Sequence, residues 1–232
     1  MAGLADGIVV IVGNYGSGKT EVAINLASYW AMSGAHVRIA DLDLVNPYFR
    51  TREARETLSQ MGVEMVLPPA EYLHADLPIL SPAVAGMLRQ PKGVTILDVG
   101  GDDAGATVLA ALKDLFSGVD YRMLQVINPF RPFTQSIDGC LKIRSEIEAA
   151  STLTVNGLIG NAHFMDETLP GHILEGYRFV RTLAEVSGLP LDWVTVPDEL
   201  LPRVAQEITD CPLLPIRRQL VPPWKHREVL KR

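Results

Sequence analysis

The chain has 232 residues, 47% of them hydrophobic, with 21 Lys and Arg against 27 Asp and Glu. That supports one well-buried α/β domain rather than two, and the net charge of −6 argues against a protein coated in nucleic acid, so no nucleic-acid partner is expected. No apolar run of about 18 residues occurs, and the opening MAGLADG has neither a charged n-region nor an apolar h-region, so a cytoplasmic protein without a membrane span is expected. The two cysteines, Cys140 and Cys211, lie far apart and outside any CxxC spacing, which supports neither a zinc site nor a disulfide framework.

Apolar, β-branched runs alternate with helical stretches. This is the pattern of a three-layer α/β fold, a mostly parallel central sheet flanked by helices. The first strand is expected at residues 8–12 and the first helix at 19–32, with GNYGSGKT between them. The spacing Gly13-x-x-x-x-Gly18-Lys19-Thr20 is that of a phosphate-binding loop, whose glycines let successive backbone N–H groups point inward at an anion. Lys19 would reach the β- and γ-phosphates and Thr20 Oγ1 would bind Mg²⁺. The first turn of the helix adds its unpaired amides. The nucleotide cradle is therefore read as Gly13, Asn14, Tyr15, Gly16, Ser17, Gly18, Lys19, Thr20 and Glu21.

A second strand is expected at 36–40. Just beyond it, IADLDLVNPYFR places Asp41 and Asp43 on one side by strand alternation, one to hold Mg²⁺ and the other to orient an attacking water. Helices are expected at 51–61 and 82–89, then a strand at 94–97. In VTILDVGGDDAG the acid at Asp98 suits a Mg²⁺ anchor, and Gly100 and Gly101 let backbone approach a γ-phosphate. Further helices at 104–116, 134–149, 171–186 and 198–209 alternate with strands at 122–127, 155–159 and 193–196. The Pro-rich stretch 212–223 reads as a departure from the core, which divides the chain into a nucleotide-binding domain, 1–216, and a basic tail, 217–232. The tail carries Arg217, Arg218, Lys225, Arg227, Lys231 and Arg232 against Glu228 alone, so the preceding body is strongly acidic. Two readings of the tail stand, docking on that body with Trp224 as anchor and a solvated, frayed terminus as its main rival, and its apolar face is too short for a membrane anchor.

With these residues in hand, the chain resembles the MinD/ParA group of P-loop ATPases, which includes the nitrogenase iron protein and metal-cofactor maturation ATPases. The likeness runs from the loop through Asp41-x-Asp43 and the Asp98 motif to GLIGNAHF and VTVPDELLP. It implies binding of ATP and ADP with Mg²⁺, slow hydrolysis through Lys19 and Asp43, an ATP-dependent homodimer and a client protein that reads the nucleotide state. It also implies that Asn161 contacts the adenine base, with Pro197 and Asp198 beside it. The chain departs from the group at Asn14, where the loop lysine that reaches across the dimer would stand. Asn14 can donate to a phosphate oxygen but carries no charge, so either the contact across the dimer is missing or another cation, Arg50 or Arg52, supplies it. No cysteine lies near Asp98 or in NPFRPFTQS, which argues against a bridging iron–sulfur cluster. A nucleotide switch acting on a partner is the leading expectation. A small-molecule kinase or ATP-dependent ligase, with Arg50, Arg52 or Arg131 over the phosphates, is the alternative, and a sensor without turnover is a third. GTP is less favoured because no N-K-x-D follows the base-side strand.

Overall fold

Residues Gly7–Val12 (β1) read GIVVIV and are buried from the second residue onward, while Val37–Leu42 (β2) and Val94–Val99 (β4) are buried throughout. Strands covered on both faces belong at the centre of a parallel sheet. The computed structural model, which describes residues 7–42, 54–66, 82–90, 92–101 and 103–220, places them there. The remaining strands are Glu64–Val66 (β3), Tyr121–Ile127 (β5), Gly157–Gly160 (β6), Leu191–Pro197 (β7) and Leu213–Ile216 (β8). All eight pair in parallel, in the order β3-β2-β4-β1-β5-β6-β7-β8.

Alternation along the strands sends one set of side chains to each face. Val9, Ile11, Val37, Ile39, Val94 and Ile96 pack under Lys19–Met32 (α1) and Arg55–Gln60 (α2). Ile8, Val10, Ala40 and Leu97 pack under Pro82–Arg89 (α3) and Asp103–Leu112 (α4), the latter extended by one 3₁₀ turn at Lys113–Phe116. Ile137–Ser151 (α5) and Pro170–Ser187 (α6) cover β5 to β7 on that second side, and Leu201–Val204 (α7) closes the far end with α6. Arg38, buried in β2, donates to the carbonyls of Met87 (3.1 Å) and Gln90 (3.0 Å), satisfying orphan acceptors at the C-terminal end of α3.

Two expectations are corrected and one strand is added. The first part of the Pro-rich stretch does not leave the core: Leu213–Ile216 forms the edge strand β8 with Leu214 fully buried, and an edge strand tolerates Pro215 because its missing N–H need not join a ladder. The three-residue β3 was not expected at all. The helix expected over 198–209 is a 3₁₀ turn, Asp198–Leu200, followed by the four residues of α7, because the chain turns to bury Ile208 beside Val204 against α6.

At the amino end of the sheet Arg122 Nη2 donates to both carboxylate oxygens of Asp192, at 2.5 and 2.6 Å, passing over Gly157 of β6, where a Cβ would strike both side chains. Asp192 is 6% exposed and burial raises its pKa against the pull of Arg122, so removing the arginine strands a desolvated carboxylate. Arg122→Met is expected to cost roughly 3 kcal/mol, a fall in Tm of roughly 6–12 °C by calorimetry. Arg122→Met combined with Asp192→Leu is expected to regain most of it.

Candidate functional site

The turn between β1 and α1 closes at the carboxyl edge of the sheet, where open parallel sheets place their ligands. Gly13, Gly16 and Gly18 have φ of 145°, 72° and 88°, which L side chains rarely adopt, and Gly18 sits immediately before the first helical residue. Ser17 N–H donates to Asn14 O (3.2 Å), and the Lys19 ammonium folds back onto the same carbonyl (3.1 Å). Ser17, Lys19 and Thr20 are buried, at 0%, 7% and 9% exposure, whereas Tyr15 is 72% exposed. Gly101, just past β4, touches this loop: a Cβ there would lie 2.5 Å from Lys19 Nζ and 2.9 Å from Tyr15 N. A close approach of backbone to ammonium at that point requires glycine.

Asp41 and Asp98 are register partners on β2 and β4, at 1% and 0% exposure. By alternation they share the sheet face of Ile39 and Ile96, the face that α1 covers. The Asp41 and Asp98 carboxylates and the Thr20 hydroxyl offer oxygen only, the donor type that Mg²⁺ takes rather than a soft metal, and among the described residues no group of three His, Cys, Asp or Glu side chains is gathered around one point. Asp43, Arg50 and Arg52 lie outside the described residues.

Asn161, at the end of β6, is 6% exposed and its side chain is used at both ends. Its Nδ2 donates to Ser17 O (2.6 Å), and its Oδ1 accepts from Thr195 Oγ1 of β7 (2.5 Å). A Cβ on Gly18 would overlap Asn161 Nδ2, so the third loop glycine is needed for this clamp as well as for its backbone angle. Asn14, for its part, donates through Nδ2 to Pro132 O (2.7 Å), tying the loop to the turn after β5.

A cavity of about 580 Å³ opens beside the loop, lined on the loop side by Gly16, Gly18, Lys19 and Thr20. Asn161, His163, Thr195 and Pro197 line its floor, and Ile216, Arg218 and Leu220 its far wall. That volume suits a small molecule the size of a nucleotide. The far wall is pinned by Glu21, whose carboxylate accepts the amides of Gln219 (2.8 Å) and Leu220 (3.0 Å). Burial raises the Glu21 pKa against the pull of those amides, Arg218 and Asn25. Asp198 does not line the cavity; it takes Arg217, at 2.9 and 3.1 Å. Arg218 pairs with Asp166, so the first basic residues of the C-terminal segment are seated on the body, while residues 221–232, Trp224 included, lie outside the described residues. His163, Arg218 and Leu220 were missed in the sequence because they come from two segments, after β6 and after β8, that lie far from the loop along the chain. The single local hint is that His163 follows Asn161 beyond a strand end.

The His163 imidazole is held neutral down to about 4, first by burial and then by the positive charges of Arg131 and Arg218. Its folded pKa is depressed below the unfolded value, so the unfolded chain binds the proton first. Stability is full above about pH 6.5 and falls as the pH drops toward 4. Allowing for partial exposure, His163→Gln is expected to remove about 2 kcal/mol of the acid-induced loss between pH 7 and 4.5, read as a flatter profile of Tm against pH.

No family model matches this chain, and no curated protein matches it. Solved structures do. A cell division protein FtsY from Thermotoga maritima aligns with a TM-score of 0.56 and 22% identity, over 82% of this chain and 61% of its own. The signal recognition particle 54 kDa protein from Aeropyrum pernix, in complex with GDP, aligns at 0.54 and 23% identity, over 82% and 41%. A nucleotide-binding protein from Archaeoglobus fulgidus, in complex with ADP, aligns at 0.53 and 17% identity, over 85% and 84%. The chain thus spans about 60% or less of the FtsY and signal-recognition structures, and most of the third. At these identities the likeness concerns architecture, and the architecture is the P-loop NTPase fold, an eight-stranded parallel sheet with flanking helices.

Proposed function

We propose that this chain binds ATP and ADP with Mg²⁺, hydrolyses ATP slowly, and signals its nucleotide state to a partner protein as members of the MinD/ParA group do. The observation that carries the reading is the junction of three strand ends: the β1 loop with its buried Lys19, and Asp41 paired in register with Asp98 on the face that α1 covers. Phosphates would lie against the loop amides and Lys19. Thr20, Asp41 and Asp98 would hold Mg²⁺, which neutralises phosphate charge when bound. Asp43, five positions short of the Tyr48-Phe49-Arg50 segment, is the candidate to orient the attacking water.

The base would extend from the loop across β6 and β7 toward Pro197, within the same cavity. Adenine is favoured over guanine because Ala162 and Phe164 stand where an N-K-x-D reader would put its lysine and aspartate after Asn161. The neighbours in complex with GDP and with ADP share the fold and do not decide between the two bases. A nucleotide-dependent homodimer and a client protein belong to this reading. Among the described residues no helix is long and apolar enough to cross a membrane.

Lys19→Ala is expected to abolish measurable ATP binding by calorimetry, since the buried ammonium is the loop's own side-chain cation. Thr20→Ala is expected to lose the Mg²⁺ dependence of binding before it loses binding itself. Near-native affinity in Lys19→Ala would sink the assignment.

Asp43→Ala is expected to slow turnover by roughly a hundredfold or more while ATP affinity changes severalfold at most, because orienting a water matters chiefly in the transition state. Equal losses of both would make Asp43 a metal or structural residue. Turnover raised by a metabolite rather than by a protein would favour the kinase or ligase reading.

A further inference from the structure

Asn14 and Arg131 are connected in a way that neither the loop motif nor the strand pattern requires. The segment Asn128-Pro129-Phe130-Arg131-Pro132-Phe133-Thr134 leaves the carboxyl end of β5, next to β1 in the sheet, and turns back on itself. The turn is closed by Arg131 N–H to Asn128 O (3.1 Å) and by the Thr134 hydroxyl to Asn128 O (2.7 Å) and Arg131 O (3.2 Å). Asn128, fully buried, receives Phe130 N–H on Oδ1 (3.1 Å) and donates to His163 O (3.2 Å), fixing the turn to the segment after β6. The remaining tether is Asn14 Nδ2 to Pro132 O, one residue from Arg131.

Arg131 leaves this turn toward the phosphate loop. A Cβ built on Gly16 would lie 3.9 Å from Arg131 Cδ and 4.0 Å from Nε, and Arg131 shares the lining of the cavity with Gly16, Gly18, Lys19 and Thr20. Its Nε is buried and meets no acceptor among the described residues. A guanidinium beside the glycine loop, with a buried donor that meets no acceptor among the described residues, has the charge and the fork geometry to take a phosphate oxygen. The other cavity arginine is engaged differently, since Arg218 is paired with Asp166. Both arginines bear on His163, whose neutral state fits a region of positive potential.

The geometry points to Arg131 as a phosphate-binding residue supplied by the same chain, held over the loop by Asn14, in the place of the cation that a lysine at position 14 would bring. This rests on the nucleotide reading and adds to it a residue and a division of labour. Asn14 contributes a tether rather than a ligand, and the phosphate charge is met by a guanidinium from the β5 turn.

The test is calorimetric binding of Mg·ATP to the full chain and to Arg131→Ala, Arg131→Lys, Asn14→Ala and the Arg131→Ala/Asn14→Ala pair, with Lys19→Ala alongside. Loss of a charge-assisted bidentate contact predicts a tenfold to hundredfold weakening in Arg131→Ala, roughly, and partial recovery in Arg131→Lys. Asn14→Ala should weaken binding severalfold, and the pair should bind no worse than Arg131→Ala alone, because a tether has nothing left to position once its arginine is gone. A purely structural role for Asn14 would instead give additive losses, and that result overturns the tether. Arg131→Ala within twofold of the parent, with Lys19→Ala inactive, overturns the arginine's role and leaves the nucleotide reading standing. No binding by the parent chain overturns both. Should Arg131→Ala unfold, the length-matched Arg131→Gln carries the same expectation.

Discussion

A lysine ammonium at 7% exposure, folded onto a backbone carbonyl inside a glycine turn, is the constraint on which the carboxyl edge of this sheet depends. Burying such a charge is costly unless it is compensated, so everything near it is arranged around its position. Gly101 withholds a side chain because one would collide with Nζ. Gly18 withholds one because Asn161 grips the loop there. The clamp from Thr195 through Asn161 to Ser17 O then makes the loop's shape a property of β6 and β7 as well as of β1. A shape held from three strands would lose little freedom on receiving the anion that the proposed function places there.

The same economy extends to the chain's C-terminal part. Glu21, one residue after the loop threonine, spends both carboxylate oxygens on the amides of Gln219 and Leu220 and so builds the far wall of the cavity from sequence nearly two hundred positions away. Arg217 and Arg218 meet Asp198 and Asp166. Opposite charges thus seat the start of the basic segment on the acidic body, where Arg218 and Leu220 line the cavity.

The central architecture was legible because β1 is a continuous apolar run, β2 and β4 are mostly apolar and β-branched, and the loop spacing is specific. The helix at 82–89 and the first helix were read with their observed bounds. Three-residue β3 carries too short a pattern to be seen, and Pro215 disguised β8, whose status as an edge strand is a tertiary fact. In the site, the loop and both buried aspartates were readable from strand ends. The partner of Asn14 was not, because it is the carbonyl of Pro132, and a backbone acceptor leaves no mark in the sequence. For the same reason the engagement of Asn161 with Ser17 O was invisible, although Asn161 itself was singled out.

The most direct test of the central claim is hydrogen exchange of the loop amides with and without Mg·ATP. If phosphates occupy the loop and the base lies over β6 and β7, nucleotide should slow exchange at residues 14–20 together with 161–163 and 197–199, and leave the Arg122 and Asp192 end of the sheet unchanged. Nucleotide at saturating concentration with no protection at residues 14–20 would contradict the account.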